Sequence, residues 1–234
     1  MMSILTDNIL FGVVLSLIAF EIGLFVYKKT KFPLFNPLLI AIALVIGFLV
    51  IFDIDYDLYN EGAQFINMFL GPATVVLALP LYKQLKLLKK YLMPILIGIF
   101  VGSSVSITSV IFLSYIFGLD KTITISLLPK SVTTPIGIEI SNQLGGLQPV
   151  TVLAIVISGI FGAIIAPLLC KIFRIKNKVA MGIALGTSSH AIGTTKALEF
   201  GETEGAMSSL SIGLAGIMTV FLAPVFFKIF SFIM

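Results

Sequence analysis

GTSSHAIG, residues 186–193, interrupts a strongly apolar chain with two glycines, three hydroxyl side chains and the single histidine. A helix facing lipid offers such groups no partner, and a polar group left unpaired in hydrocarbon is costly. The stretch therefore belongs where protein or water satisfies it. A second interruption of the same kind, PKSVTTPIG at residues 129–137, lies between long hydrophobic segments upstream. The two stretches are expected to meet.

Composition sets the class. Hydrophobic residues make up 58% of the 234 positions, charged residues 11%, and the mean hydropathy is +1.13. Soluble domains are about 25% charged. The expectation is an all-α integral membrane protein with about six transmembrane helices, at roughly 20 apolar residues per crossing. No room remains for a soluble catalytic domain. A net charge of +4 would point to nucleic acid in a soluble protein, but these cations fall in short loops, where they set topology. The lone Cys170 has no disulfide partner and reads as a small packing residue. The N-terminus lacks the features of a cleaved signal, so its first apolar segment is expected to stay as an anchor.

Apolar runs are read at residues 8–27, 38–52, 63–82, 91–117, 149–169 and 206–232. The run at 63–82 carries Gly71, Pro72, Thr74 and Pro80, which predict a broken helix. Basic clusters at 28–31, 83–90 and 171–178 are expected in the cytoplasm, with the acidic loop 53–61 and the N-terminus outside. Residues 121–148 then enter and leave from the outside, and 179–205 do so from the cytoplasm. Sequence register agrees. Residues 117–137 align on 173–193 without a gap, an offset of 56 that sets Ser131 on Thr187, Thr133 on Ser189 and Gly137 on Gly193. The expected core, 91–234, is thus an inverted repeat of two helix-plus-hairpin units, 91–148 and 149–205, closed by the last helix. Residues 1–90 are read as scaffold or oligomerisation helices. Transporters are commonly built from such repeats, with the binding site near the midplane.

The hairpin tips supply the candidate substrate-binding residues: Ser131, Thr133, Thr134 and Gly137 in the first, and Thr187, Ser188, Ser189, His190, Gly193 and Thr194 in the second. Thr134 is expected to cap a half-helix beginning at Pro135, and a second half-helix is expected to begin near Ser188 or Ser189, with His190 in its first turn. Two positive helix ends would suit a small carboxylate. Lys130, Lys196, Glu139, Glu199 and His190 are the candidates for charge compensation or proton coupling. Glu202 and Glu204, in EFGETEG, are expected to be solvated. No HExxH, cysteine-rich metal cluster, P-loop or GxSxG occurs, so neither an enzyme, nor a cofactor, nor a metal site is expected.

GPATVVLALPLYKQ (71–84), LLPKSVTTPIGIEIS (127–141) and ALGTSSHAIGTTKALEFGETEGAMSSLSIGLAG (184–216) resemble the LrgB/CidB family of antiholin-like and holin-like bacterial membrane proteins. The plastid glycolate/glycerate translocator carries a similar domain. This resemblance implies a multi-pass protein of the bacterial inner membrane, with a small LrgA/CidA-type partner and one of two roles. One is transport of small carboxylates such as pyruvate, glycolate or glycerate. The other is control of murein hydrolase activity, autolysis and programmed cell death. A homodimer or higher homo-oligomer is expected as well, with Gly98 and Gly102 spaced for close helix approach.

Overall fold

The computed structural model describes residues 8, 10–30, 35–69, 72, 75–76, 82 and 85–230. Of the expected broken-helix motif, Gly71, Thr74 and Pro80 lie outside the described residues, and Pro72 is exposed. All the regular structure is helical among the described residues, and the chain divides into two compact units, Met1–Val76 and Leu77–Met234.

The first unit contains α1 (Leu10–Thr30), α2 (Pro37–Ile51) and α3 (Tyr56–Asn67). Asn36 caps α2 by accepting from the Leu38 N–H at 2.9 Å, with Pro37 at the first helical position where its missing N–H costs nothing. Ala19, Ala41 and Val45 form a small core between α1 and α2. Gly12 lets α3 approach α1 until a Cβ would lie 2.7 Å from the Ala63 nitrogen, and the hydroxyls of Ser16 and Tyr59 bond at 2.8 Å. The acidic stretch expected as a loop is helical from Tyr56, because Asp55 caps α3 through the Asp57 N–H at 3.0 Å.

The second unit contains α4 (Leu85–Lys90), α5 (Leu92–Ile116), α6 (Lys121–Leu127), α7 (Thr134–Leu144), α8 (Gln148–Ile172), α9 (Lys178–Phe200) and α10 (Glu202–Phe230). Among the described residues, α1, α5, α8 and α10 are long and apolar enough to cross a membrane. At 15 residues α2 is apolar but shorter, about 22 Å at 1.5 Å per residue, against a hydrocarbon core of about 30 Å. Among the described residues the membrane-length helices are therefore these four, with α2 a shorter apolar helix beside them.

Helix α10 runs in the same direction as α5. Ile95 and Ile99 pack on Ala206, Met207 and Ala215 near one end, and Ile107, Val110 and Ile111 pack on Ala223 near the other. Helices α6 and α7 fold back on each other as the first hairpin. The Ser126 hydroxyl accepts from the Leu147 N–H at 2.7 Å, and Gly145, at φ 86°, ends α7 in the left-handed conformation that glycine adopts freely. Helix α9 is itself a hairpin. Ser189 (φ −133°, ψ 16°) and His190 (φ 42°, ψ −134°) leave helical geometry, and beyond them the chain reverses. Leu185 and Ala197 share one small core with Ala166, although a straight helix would hold them about 18 Å apart. A Cβ on Gly193 would lie 2.5 Å from the Leu185 carbonyl oxygen, so only glycine permits the two halves to close. The first hairpin follows the end of α5 and the second follows the end of α8. They therefore enter the bundle from opposite ends.

Helix α10 starts earlier than the expected run at 206. Its first turn takes in the second half of EFGETEG, from Glu202 to Gly205, and buries Glu204 to 4% exposure while leaving Glu202 outside. The expectation that both glutamates are solvated is corrected for Glu204, because α9 packs across that turn.

Candidate functional site

The hairpin tips meet on α5. Gly98 faces Ile183, Gly102 faces the Thr187 methyl group with room for no side chain of its own, and Ser106, the next turn, bonds Ser131 at 2.9 Å. One turn of α5, about 6 Å, thus separates the contact with the second hairpin from the contact with the first. They also meet on α8. The Ile155 side chain packs on Gly137, and its carbonyl oxygen lies 3.0 Å from His190 Nε2. Gly159 and Gly162 of α8 leave the space that His190 and Ser189 fill.

Lys130 occupies the junction. Its Nζ donates to Ser106 Oγ at 3.3 Å and to Ser131 Oγ at 3.2 Å, which anchors a half-buried ammonium to both α5 and the first tip. Two cavities converge there. One, of about 820 Å³, runs between α5 and the first half of α9, from Tyr91 and Asn177 to Lys130, Ser131, Thr187 and Ser188. The other, of about 440 Å³, runs between α8 and the same half of α9, from Phe173 to Lys130, Ser158, Ser188 and Ser189. Residues 178–188 therefore stand between two clefts that share Lys130, Ala184 and Ser188. A mostly apolar cleft lined by one cation and several hydroxyls has the composition of a small-ligand site.

The hydroxyls there differ in freedom. Ser188 and Ser189 bond each other at 3.0 Å. Thr187 is 6% exposed, and its Oγ1 has no hydrogen-bond partner. Since buried hydroxyls are nearly always paired, Thr187 holds an unused donor and acceptor beside the cavity. His190 is 4% exposed and its carbonyl accepts from the Thr194 hydroxyl at 3.0 Å; Thr194 in turn bonds Ser208 at 2.7 Å.

Of the residues expected at the site, Ser131, Thr187, Ser188, Ser189 and Lys130 line these cavities, while Thr133, Thr134, Gly137, His190, Gly193 and Thr194 line neither. The helix caps also fall differently. Thr133, not Thr134, is the N-cap of α7, with Pro135 at its second position, and His190 sits at the break in α9 rather than in a helical turn. Glu139 accepts from Gln143 at 2.8 Å on an exposed face, and Lys196 pairs with Glu199 within the second hairpin. Ser106 escaped the sequence reading, and Gly102 was read only as a point of close helix approach. Their signal was the run GSSVSITS at 102–109, a hydroxyl-rich insertion in an apolar helix of the same kind that marked the tips. Among the described residues no group of acidic, histidine and cysteine side chains is placed to hold a metal ion.

Residues 16–229 match the model of the LrgB-like family. An antiholin-like protein LrgB of Bacillus subtilis is 42% identical over 220 residues, covering 94% of this chain and 95% of the relative. Proteins of the same description in Bacillus mycoides and Bacillus cereus are 41% identical over 217 residues, covering 92% of this chain and 94% of each relative. No solved structure matches the chain.

Proposed function

We propose, for a chain that belongs to the LrgB-like family, that its core is a carrier of small monocarboxylates across the bacterial inner membrane. The observation that carries this reading is Lys130, the one cation among the described residues lining the two cavities, with Thr187, whose enclosed hydroxyl has no partner, on the wall of the larger one. One ammonium matches one carboxylate. The hydroxyls of Ser106, Ser131 and Ser188 are within reach of the remaining oxygens of a short hydroxy or oxo acid. Charge compensation comes from Lys130 rather than from converging helix ends, since the N-terminal residues of α7 line neither cavity. Transport would follow from rocking or sliding of the two-hairpin unit against the remaining helices, so that the site opens to each side in turn. Proton coupling and a cytoplasmic position for the basic loops belong to the same reading, with residues 1–90 as scaffold and oligomerisation helices.

A second reading has its own support, and the comparisons favour it more directly. The relatives are named antiholin-like proteins. On that reading the chain works with an LrgA-type membrane partner to control murein hydrolase activity and autolysis. The two readings are compatible if lysis responds to carboxylate flux. Proteoliposomes holding the purified protein separate them. Saturable uptake of pyruvate or glycolate, competed by other short monocarboxylates and reduced at least tenfold by Lys130→Met, supports the carrier. Leakage of an uncharged dye, indifferent to that substitution, rejects the carrier in favour of a permeability regulator.

A further inference from the structure

The smaller of the two clefts at Lys130, of about 440 Å³, has a polar end and an apolar one. Its polar groups, Lys130, Ser158, Ser188 and Ser189, come from the two hairpin tips and the middle of α8. Beyond them the wall is apolar as far as the turn between α8 and α9. Phe161, Ile165, Leu169 and Phe173 follow one another along one face of α8, and α9 contributes Met181. From Ser158 to Phe173 that face is about 22 Å long at 1.5 Å per residue. The larger cleft differs, because Tyr91, Ser106, Ser131, Asn177 and Thr187 spread polar groups along its length.

The polar end holds bonding capacity that the chain leaves unused. An ammonium has three N–H donors, and Lys130 commits two of them, to Ser106 and Ser131. Among the described residues no carboxylate lines either cleft, and the Ser158 hydroxyl makes no hydrogen bond. A half-buried cation without an acid suits an anionic ligand, and a long apolar wall suits an alkyl chain. The order of the two parts matters. Helix α8 is long enough to cross the membrane, so the charge lies inward and the apolar wall leads out to the helix end. A bilayer phospholipid has the opposite order, with its headgroup at the interface and its tails inward. The occupant carries its acid on the end that enters first.

We infer that this cleft binds a medium-chain fatty acid, its carboxylate on Lys130 beside Ser158 and Ser188 and its chain along Phe161, Ile165 and Leu169. Its bearing on transport rests on the carrier reading, since an acid held there occupies Lys130 and shuts out a short monocarboxylate; the binding itself does not.

The chain contains no tryptophan, so one introduced residue reports on one cleft. Phe161→Trp marks the smaller cleft and Val101→Trp the larger. Each full-length protein, in lipid nanodiscs, is titrated with butanoate, hexanoate, octanoate and decanoate while its fluorescence is followed. Decanoate is expected to shift the emission of Phe161→Trp and to leave that of Val101→Trp unchanged. Affinity should rise with chain length, by about fourfold for each methylene fully buried. Methyl decanoate and decanol, which enter the bilayer but carry no charge, should bind at least tenfold more weakly than decanoate. Lys130→Met, in the Phe161→Trp background, should weaken decanoate by at least tenfold. Because methionine also forfeits the bonds to Ser106 and Ser131, the comparison of the acid with its ester reads the charge without any change at Lys130. Affinity independent of chain length overturns the inference, as does an ester that matches the acid. A response confined to Val101→Trp overturns it as well. Flux is not read, so a negative result here leaves the carrier reading intact, and a failed uptake assay leaves this binding site intact.

Discussion

His190 Nε2 lies 3.0 Å from the carbonyl oxygen of Ile155, so the apex of the second hairpin is pinned to the first half of α8 by one bond. The same residue carries φ 42° and ψ −134°, a conformation that glycine adopts without penalty and other residues do not. Strain and bond are therefore located on one side chain.

This pairing predicts an inverted order of substitutions. Both His190→Ala and His190→Gly lose the bond, worth about 0.5–1.5 kcal/mol, but only alanine keeps the backbone penalty, about 1–2 kcal/mol. Glycine should be no less stable than alanine here, although alanine is ordinarily favoured by about 0.5–1 kcal/mol within helices. Gly159→Ala should also destabilise, by about 1–3 kcal/mol, since the new Cβ would lie 2.6 Å from the imidazole. Thermal unfolding of the three variants in one detergent checks the order, and an alanine variant clearly above the glycine variant would reject the strain.

Thr187 predicts a divergence of stability from function. Thr187→Val keeps the methyl group that packs on Gly102 and removes a buried hydroxyl without a partner. Relief of an unsatisfied buried group is worth about 1–3 kcal/mol, so the variant should melt at or above the wild type. Carboxylate binding should nevertheless weaken by about tenfold, the loss of roughly 1.4 kcal/mol from one hydrogen bond. Calorimetric titration beside a melting curve reads both. A variant that loses stability and keeps affinity would show that the hydroxyl is satisfied structurally.

The hairpins were legible because two independent patterns agreed: loop charges that required residues 121–148 and 179–205 to return to their own sides, and polar stretches lodged in apolar sequence. Both patterns report on solvation, which membrane sequences record strongly. What they do not record is packing. Glu204 looks like a solvated turn residue by composition, and only the approach of Gly182 and Gly201 buries it. Ser106 reads as one hydroxyl in a helix that contains several, and its role depends on Lys130 arriving from a hairpin 24 residues later. The cap of α7 falls on Thr133 rather than Thr134, because proline is accommodated at either of the first two helical positions and the sequence does not choose between them.

Glycines of the hairpin bed predict a graded series. Gly186 faces the Ser208 carbonyl oxygen, and a Cβ there would also lie 2.8 Å from that of Ser211, whereas Gly213 on the same partner helix faces open space. Gly186→Ala should cost about 1–3 kcal/mol through overpacking. Gly213→Ala should gain about 0.5–1 kcal/mol from helix propensity alone. Equal melting temperatures for the two variants would mean that the second hairpin does not seat on α10 as described.

The polar chain from α10 to the hairpin apex has a direction, and that direction can be tested. The Thr194 hydroxyl has one proton and gives it to the His190 carbonyl at 3.0 Å, so across the 2.7 Å contact Ser208 must be the donor and Thr194 the acceptor. Thr194→Val strands the Ser208 proton and removes one of the bonds to the His190 carbonyl, whereas Ser208→Ala deprives Thr194 only of a donor to its oxygen. Thr194→Val is therefore the more damaging change, at about 1–3 kcal/mol for the groups left unsatisfied. The pair should couple by at least about 0.5 kcal/mol, with the double variant losing less than the two single losses together. A double-mutant cycle by chemical or thermal unfolding measures this. Strict additivity, or a Ser208→Ala loss exceeding that of Thr194→Val, would mean that the proton order runs the other way and that the apex is not held through α10.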